Sequence, residues 1–122
     1  MKVQAFDWAG HPGPAIDDVE AGIHRDLLTS LLIDCDGQED LYLDEIAKAE
    51  AGTSDVIGNH SVWAIMSPDK VILEKMLYGD DQTNGTVPQR TELTLKEARQ
   101  LILDWVEAKR RWFEERRRRE AN

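Results

Sequence analysis

The chain of 122 residues holds a single cysteine, Cys35, which excludes an internal disulfide and any cysteine-based zinc site. It has only three histidines, His11, His24 and His60, spaced too widely to suggest a local metal or catalytic pair. No apolar run approaches the roughly 18 residues needed to span a bilayer. The first ten residues, MKVQAFDWAG, lack the apolar core of a secretory signal. A cytoplasmic protein with no membrane partner is therefore expected. Also missing are a phosphate-cradling glycine loop, a paired-histidine zinc motif and a nucleophile elbow. Asp80-Asp81 offers two carboxylates without the remaining ligands of a calcium loop. The expectation is a non-enzyme with no catalytic residue, no cofactor and no metal.

What the chain does have is negative charge, unevenly placed. The formal net charge is −9. Residues 109–122 hold seven Lys/Arg against three Glu, a local +4, so residues 1–108 carry −13. Such a body repels nucleic acid and attracts cationic proteins, less strongly as salt rises. Arg110, Arg111 and Arg116 to Arg119 are the one candidate for phosphate contact. Interleaved glutamates and the absence of a reading motif favour a solvated helix end instead. No nucleic-acid partner is expected.

The length suits one domain with a single core, 1–122, bearing a basic helical extension at 109–122. Its organising stretch is His60 to Leu77. Val62-Trp63-Ala64-Ile65-Met66 and Val71-Ile72-Leu73 flank Ser67-Pro68-Asp69-Lys70, where proline presets φ for a turn. This predicts an antiparallel hairpin, the central pair of a sheet, with apolar residues on both faces. Lys2 to Trp8 predicts a first strand, ended by Gly10-His11-Pro12-Gly13-Pro14, whose prolines and glycines argue against helix or ladder. Leu27 to Cys35 is a dense apolar run that its length and the Asp36-Gly37 stop suggest is a buried strand, with Cys35 as a buried thiol. Gln38 to Ala51 predicts a helix with Leu41, Tyr42, Ile46 and Ala49 on its apolar face and Asp44, Glu45, Lys48 and Glu50 on its polar side. Gly52 is its stop. Thr86 to Leu93 suggests an edge strand, because Pro88 has no amide to donate.

Thr94-Leu95-Lys96-Glu97 fits a capping box, in which the Thr94 and Glu97 side chains serve each other's backbone amides. The following helix carries Leu95, Ala98, Leu101, Ile102, Trp105, Val106 and Trp112 as an apolar stripe facing the sheet. Beyond Phe113 it has no apolar anchor and should fray or project. The expected fold class is α+β: an antiparallel sheet of about four or five strands with the hairpin 60–77 at its centre, a long C-terminal helix packed on one face and a second helix at 38–51.

With these elements placed, YLDEIAKAEAGTSDVIGNHSVWAIMSPDKVILEKM followed by TELTLKEARQLILDWVEAKRRW resembles the small YacL-like proteins. It also resembles the immunity proteins of bacterial contact-dependent growth inhibition. The likeness rests on Leu41, Leu43 and Ile46 before Gly52, then Gly58-Asn59, the Pro68-Asp69 hairpin and Leu95 through Trp105. It implies a cytosolic antidote that binds a cognate toxin, the C-terminal domain of a delivered effector and often a nuclease, and blocks its active site or substrate groove. The acidic body is compatible with such a role, since a nuclease presents a basic cleft. The carboxylates expected to meet that partner are Asp17, Asp18, Glu20, Asp69, Asp80 and Asp81. The expected state is a monomer or weak homodimer. The alternative is a small subunit that oligomerises through its C-terminal helix, where Trp105, Trp112 and Phe113 stand on the apolar side.

Overall fold

The computed structural model describes residues 1–121. Its architecture is α+β, with six strands in two antiparallel sheets and four helices. β1 (Lys2–Trp8) and β2 (His11–Asp17) form a two-stranded ribbon. α1 (Arg25–Cys35) and α2 (Glu39–Glu50) follow. β3 (Asp55–Gly58), β4 (Val62–Met66), β5 (Val71–Lys75) and β6 (Arg90–Leu93) form a sheet in the order β3-β4-β5-β6. The short α3 (Asp80–Thr83) lies between β5 and β6, and α4 (Leu95–Ala121) closes the chain.

The β4–β5 hairpin forms as expected and occupies the centre of the four-stranded sheet. The Ser67 amide donates to the Lys70 carbonyl at 3.0 Å across the Pro68-Asp69 turn. Strand alternation then sorts the side chains. Val62, Ala64, Met66, Val71, Leu73 and Leu93 are buried on one face. Against this face pack α1 and α2, which supply Leu27, Leu28, Leu31, Leu32, Tyr42, Ile46 and Ala49 to the same core. α4 adds Leu101, Ile102 and Trp105 and runs alongside β1 and α2.

Four expectations are corrected. Leu27 to Cys35 is a helix, not a strand. Its buried residues Leu27, Leu28, Leu31, Leu32 and Cys35 recur at the spacing of one helical face, while Ile33 points outward. Leucine favours this state, and the run holds few β-branched residues. The Gly10 to Pro14 segment does not end the first strand pairing. Ala9 and Gly10 take φ of 51° and 86°, a two-residue turn of the primed type, and the chain returns as β2 through both prolines. Counting from the closing pair Trp8 and His11, Pro12 and Pro14 fall at pairs that exchange no hydrogen bonds, so the ribbon loses nothing by their missing amides. On α2, Leu41 is exposed while Glu45 is buried, so the apolar face is rotated from the expected one. On α4, Val106 is exposed; beyond Phe113 the helix continues to Ala121 with residues 116–121 exposed, so of the two expected outcomes, fraying or projecting, it projects.

The capping box is present as expected. The Thr94 amide donates to Glu97 Oε1 at 2.9 Å, and the Glu97 amide donates to Thr94 Oγ1 at 3.0 Å. The helical end of α4 is held by ion pairs one turn apart: Arg110 with Glu107 and Glu114, Arg111 with Glu107, Arg116 with Glu120, Arg118 with Glu114 and Arg119 with Glu115. The hydrogen bond from Arg110 holds Glu107 well below the usual carboxylate range, at about 2.

Candidate partner-binding surface

The four-stranded sheet is covered by α1 and α2 on one face only. Cross-strand register places Val56, Ile65, Ile72 and Glu92 in one row across the other face, and Gly58, Trp63, Glu74 and Arg90 in the next. Val56 and Trp63 are exposed, at 53% and 43%. The Trp63 ring lies over Gly58. A Cβ at position 58 would overlap both this ring and Met76 Cε, so glycine is what lets the indole lie flat across β3. Glu74 and Arg90 pair at 3.0 Å at the far side of the row.

Beyond the end of β5 this face deepens into a groove of about 620 Å³, bordered by Trp63, Glu74, Met76, Tyr78, Gln82 and Pro88. Tyr78 is 63% exposed, yet its position is fixed. Its hydroxyl donates to the His60 carbonyl at 2.6 Å and lies 3.1 Å from Met76 Sδ. The His60 segment is fixed in turn from inside the molecule. Asp34, near the end of α1 and 2% exposed, receives three successive amides on Oδ2: His60 at 3.1 Å, Ser61 at 2.7 Å and Val62 at 3.1 Å. Asn59 Nδ2 donates to the Asp34 carbonyl at 3.0 Å. A buried carboxylate thus ties the loop between β3 and β4, and through it the Tyr78 wall of the groove, to α1. Two neighbours share this buried region. Burial raises the Cys35 thiol from 9.0 to about 12, and burial together with the Asp34 charge raises Tyr42 from 10.0 to about 12.

All six expected carboxylates are exposed, but they fall in three places. Asp80 and Asp81 open α3, beside Gln82 and Tyr78 at the groove. Asp69 sits in the β4–β5 turn, at the opposite end of the sheet. Asp17 ends β2, Asp18 follows with φ of 57°, and Glu20 borders a separate hollow with Glu97, Gln100 and Asp104. None of the six lines the aromatic groove, whose charged borders are Glu74 and Lys75; Asp80 and Asp81 come nearest in sequence, between its Tyr78 and Gln82.

The histidines belong to different elements: His11 to the ribbon, His24 before α1 and His60 to the β3–β4 loop. Among the described residues, no three His, Cys, Asp or Glu side chains are placed to hold a metal. Among the described residues, no helix is long and apolar enough to cross a membrane. Of the six tail arginines, Arg117 alone lacks a carboxylate partner among the described residues.

Sequence reasoning counts Trp63 only among the apolar residues on the two faces of the hairpin and passes over Asp34 and Tyr78. The available signal for the surface is the alternation in Val62 to Met66, which puts Trp63 and Ile65 on a face with no second apolar layer to meet. Asp34 gives no local signal, because the amides it binds lie 26 to 28 residues away. Comparison of the chain with known protein families, with curated proteins and with solved structures finds no match.

Proposed function

We propose that this protein is an immunity protein: it acts in the cytoplasm and neutralises a contact-dependent growth inhibition toxin domain by covering its basic active-site or substrate groove. The observation that carries the reading is the groove on the uncovered sheet face, bordered by exposed Trp63 and Tyr78, with Asp80 and Asp81 in the short α3 that supplies its Gln82 border. Tryptophan and tyrosine anchors held in a fixed geometry are what concentrates binding energy in an interface. Acidic groups at the rim of such a contact speed capture of a basic partner. The net charge of −9 supports the same reading, because the −13 of the acidic body outweighs the +4 of the arginine-rich end.

The test is co-expression with the toxin domain encoded beside its gene, together with direct binding of the two purified chains. Protection of growth is expected. Trp63→Ala should weaken binding by about 2 kcal/mol, roughly thirtyfold. Replacing Asp80 and Asp81 by Asn should mainly slow association and flatten its salt dependence. Unimpaired protection by Trp63→Ala and Tyr78→Ala would remove this face from the interface, and absence of any protection would remove the function. The second reading, a subunit that assembles through its C-terminal helix, draws on Leu103, Val106 and Phe113, all exposed on α4. A dimer abolished by Phe113→Ser would favour it.

A further inference from the structure

The ribbon has two outer edges, and they are built differently. Across the ribbon, the pairs Trp8–His11, Phe6–Gly13, Gln4–Ala15 and Lys2–Asp17 exchange the hydrogen bonds. The residues between them therefore turn their backbone groups away from the partner strand. On β2 these are Pro12, Pro14 and Ile16, so two of the three outward positions have no amide to offer. On β1 they are Val3, Ala5 and Asp7, and all three keep both an N–H and a carbonyl. An edge strand with intact, unpaired groups is a template for another strand, and proline is a usual way to blunt one. One edge of this ribbon is blunted and the other is not. α4 runs beside β1, and between them lie two adjoining hollows of about 260 and 290 Å³, bordered by Val3 and Ala5 on the strand and by Ala108, Arg111 and Trp112 on the helix, so the outward backbone groups of β1 bond to neither β2 nor α4.

We propose that β1 pairs along this edge with β1 of a second copy of the chain, antiparallel about a two-fold axis at Ala5. This is independent of the toxin-binding reading. The strand sequence is self-complementary in this register. Ala5 meets Ala5, and Val3 meets Asp7 twice, so all three outward residues of each strand are paired and six hydrogen bonds form. A slip of two residues either way sets Asp7 or Val3 against residues beyond the strand. The same register keeps the faces matched, because Lys2, Gln4, Phe6 and Trp8 all lie on the face away from the core. It brings each Lys2 opposite a Trp8 of the other copy, a cation–π pairing available on both sides of the axis. Trp8 and Phe6 are 62% and 48% exposed in the single chain, and both gain cover. The product is a continuous sheet β2-β1-β1-β2 with both ends blunted by Pro12 and Pro14. The contact is small, so the dimer is weak and concentration-dependent.

Sedimentation velocity on the full chain at rising concentration, at low and high salt, tests this. A shift toward the dimer is expected, and it should grow with salt, because two bodies of −9 repel and salt screens them. Binding of a cationic partner has the opposite salt dependence. Asp7→Pro and Ala5→Pro remove amides that bond nothing in the ribbon and should hold the chain monomeric with unchanged circular dichroism and melting. Should Ala5→Pro fail to fold, Asp7→Pro decides, since Asp7 is exposed. Hydrogen exchange at Val3, Ala5 and Asp7 should slow as concentration rises. A chain that stays monomeric at every concentration and salt, or a dimer that survives Asp7→Pro but not Phe113→Ser, overturns the proposal.

Discussion

The four-stranded sheet and the two-stranded ribbon are both antiparallel and both packed on one side, yet they are held by different means. The sheet is tied to the core by a side chain from outside it: Asp34 of α1 gathers three amides at the β3–β4 loop. The ribbon has no such internal tie. Its tip is held at the surface, where Arg116 of α4 donates to the Gly10 carbonyl at 2.7 Å. Two strands alone are marginal in water, so the ribbon's order depends on α4 and α1 lying against it. The difference locates rigidity where the aromatic groove is, and leaves the open backbone edge on the part with weaker anchorage.

The strongest way to break this contrast is at Asp34. Asp34→Ala strands three amides around a buried site and should cost about 3–5 kcal/mol in denaturant unfolding. Asp34→Asn keeps an acceptor and should cost less. In a variant that still folds, exchange of the His60, Ser61 and Val62 amides should quicken while that of the ribbon is little changed. Equal loosening of both regions would refute the distinction.

Alkaline pH should separate the regions next. Cys35 and Tyr42, both in the helices beneath the four-stranded sheet, hold their protons in the folded chain up to about 12. The unfolded chain releases the thiol proton from about 9 upward. Between those values the unfolded state binds fewer protons, so stability falls as pH rises, by up to about 1.4 kcal/mol per pH unit for each group. Cys35→Ala should flatten the first part of this decline. A pH profile unchanged by that substitution would count against a buried, protonated thiol.

Gly58→Ala tests the sheet's outer face with a smaller change. The added methyl must displace Trp63 or Met76. A loss of about 1–2 kcal/mol is expected, together with altered Trp63 fluorescence and weaker binding of any partner that uses the groove. Retained fluorescence and stability would mean that the indole does not rest on β3.

How far these regions were legible in the sequence follows the same division. The β4–β5 hairpin and the start of α4 announce themselves through short-range chemistry: Pro68 in its turn, and Thr94 three residues before Glu97. α1 was hidden because an apolar run long enough for either state reads as strand unless its spacing is weighed, and Leu27, Leu28, Leu31 and Leu32 carry that spacing. β2 was hidden because Pro12 and Pro14 are breakers in general and harmless only at alternate positions of an edge, a fact fixed by the Ala9-Gly10 turn and not by composition. Of the site, alternation separates Trp63 from Val62 and Ala64 but does not mark it as a binding residue, since apolar residues on both faces also suit a strand buried on both sides. Asp34 was not, since nothing within α1 signals a loop 26 residues on. The acidic residues were visible as charge, but charge alone does not say that Asp69 and Asp80 stand at opposite ends of a sheet.

The smallest expected effect on stability sharpens the comparison most at the ribbon. Pro12 is half-buried and sits where its missing amide faces away from β1. Pro12→Thr restores an outward N–H, suits a strand, and should change stability by no more than about 0.5 kcal/mol. Its consequence lies elsewhere. With a donor returned at one of its two proline positions, the β2 edge is less blunted, although Pro14 still lacks an amide, and edge-to-edge pairing can extend beyond a dimer. Larger assemblies at high concentration, seen by light scattering for Pro12→Thr but absent when Asp7→Pro is added, are the expected outcome. If Pro12→Thr stays in the same assembly state as the parent chain, proline at this position serves the turn and not the edge, and the asymmetry of the ribbon has no bearing on association.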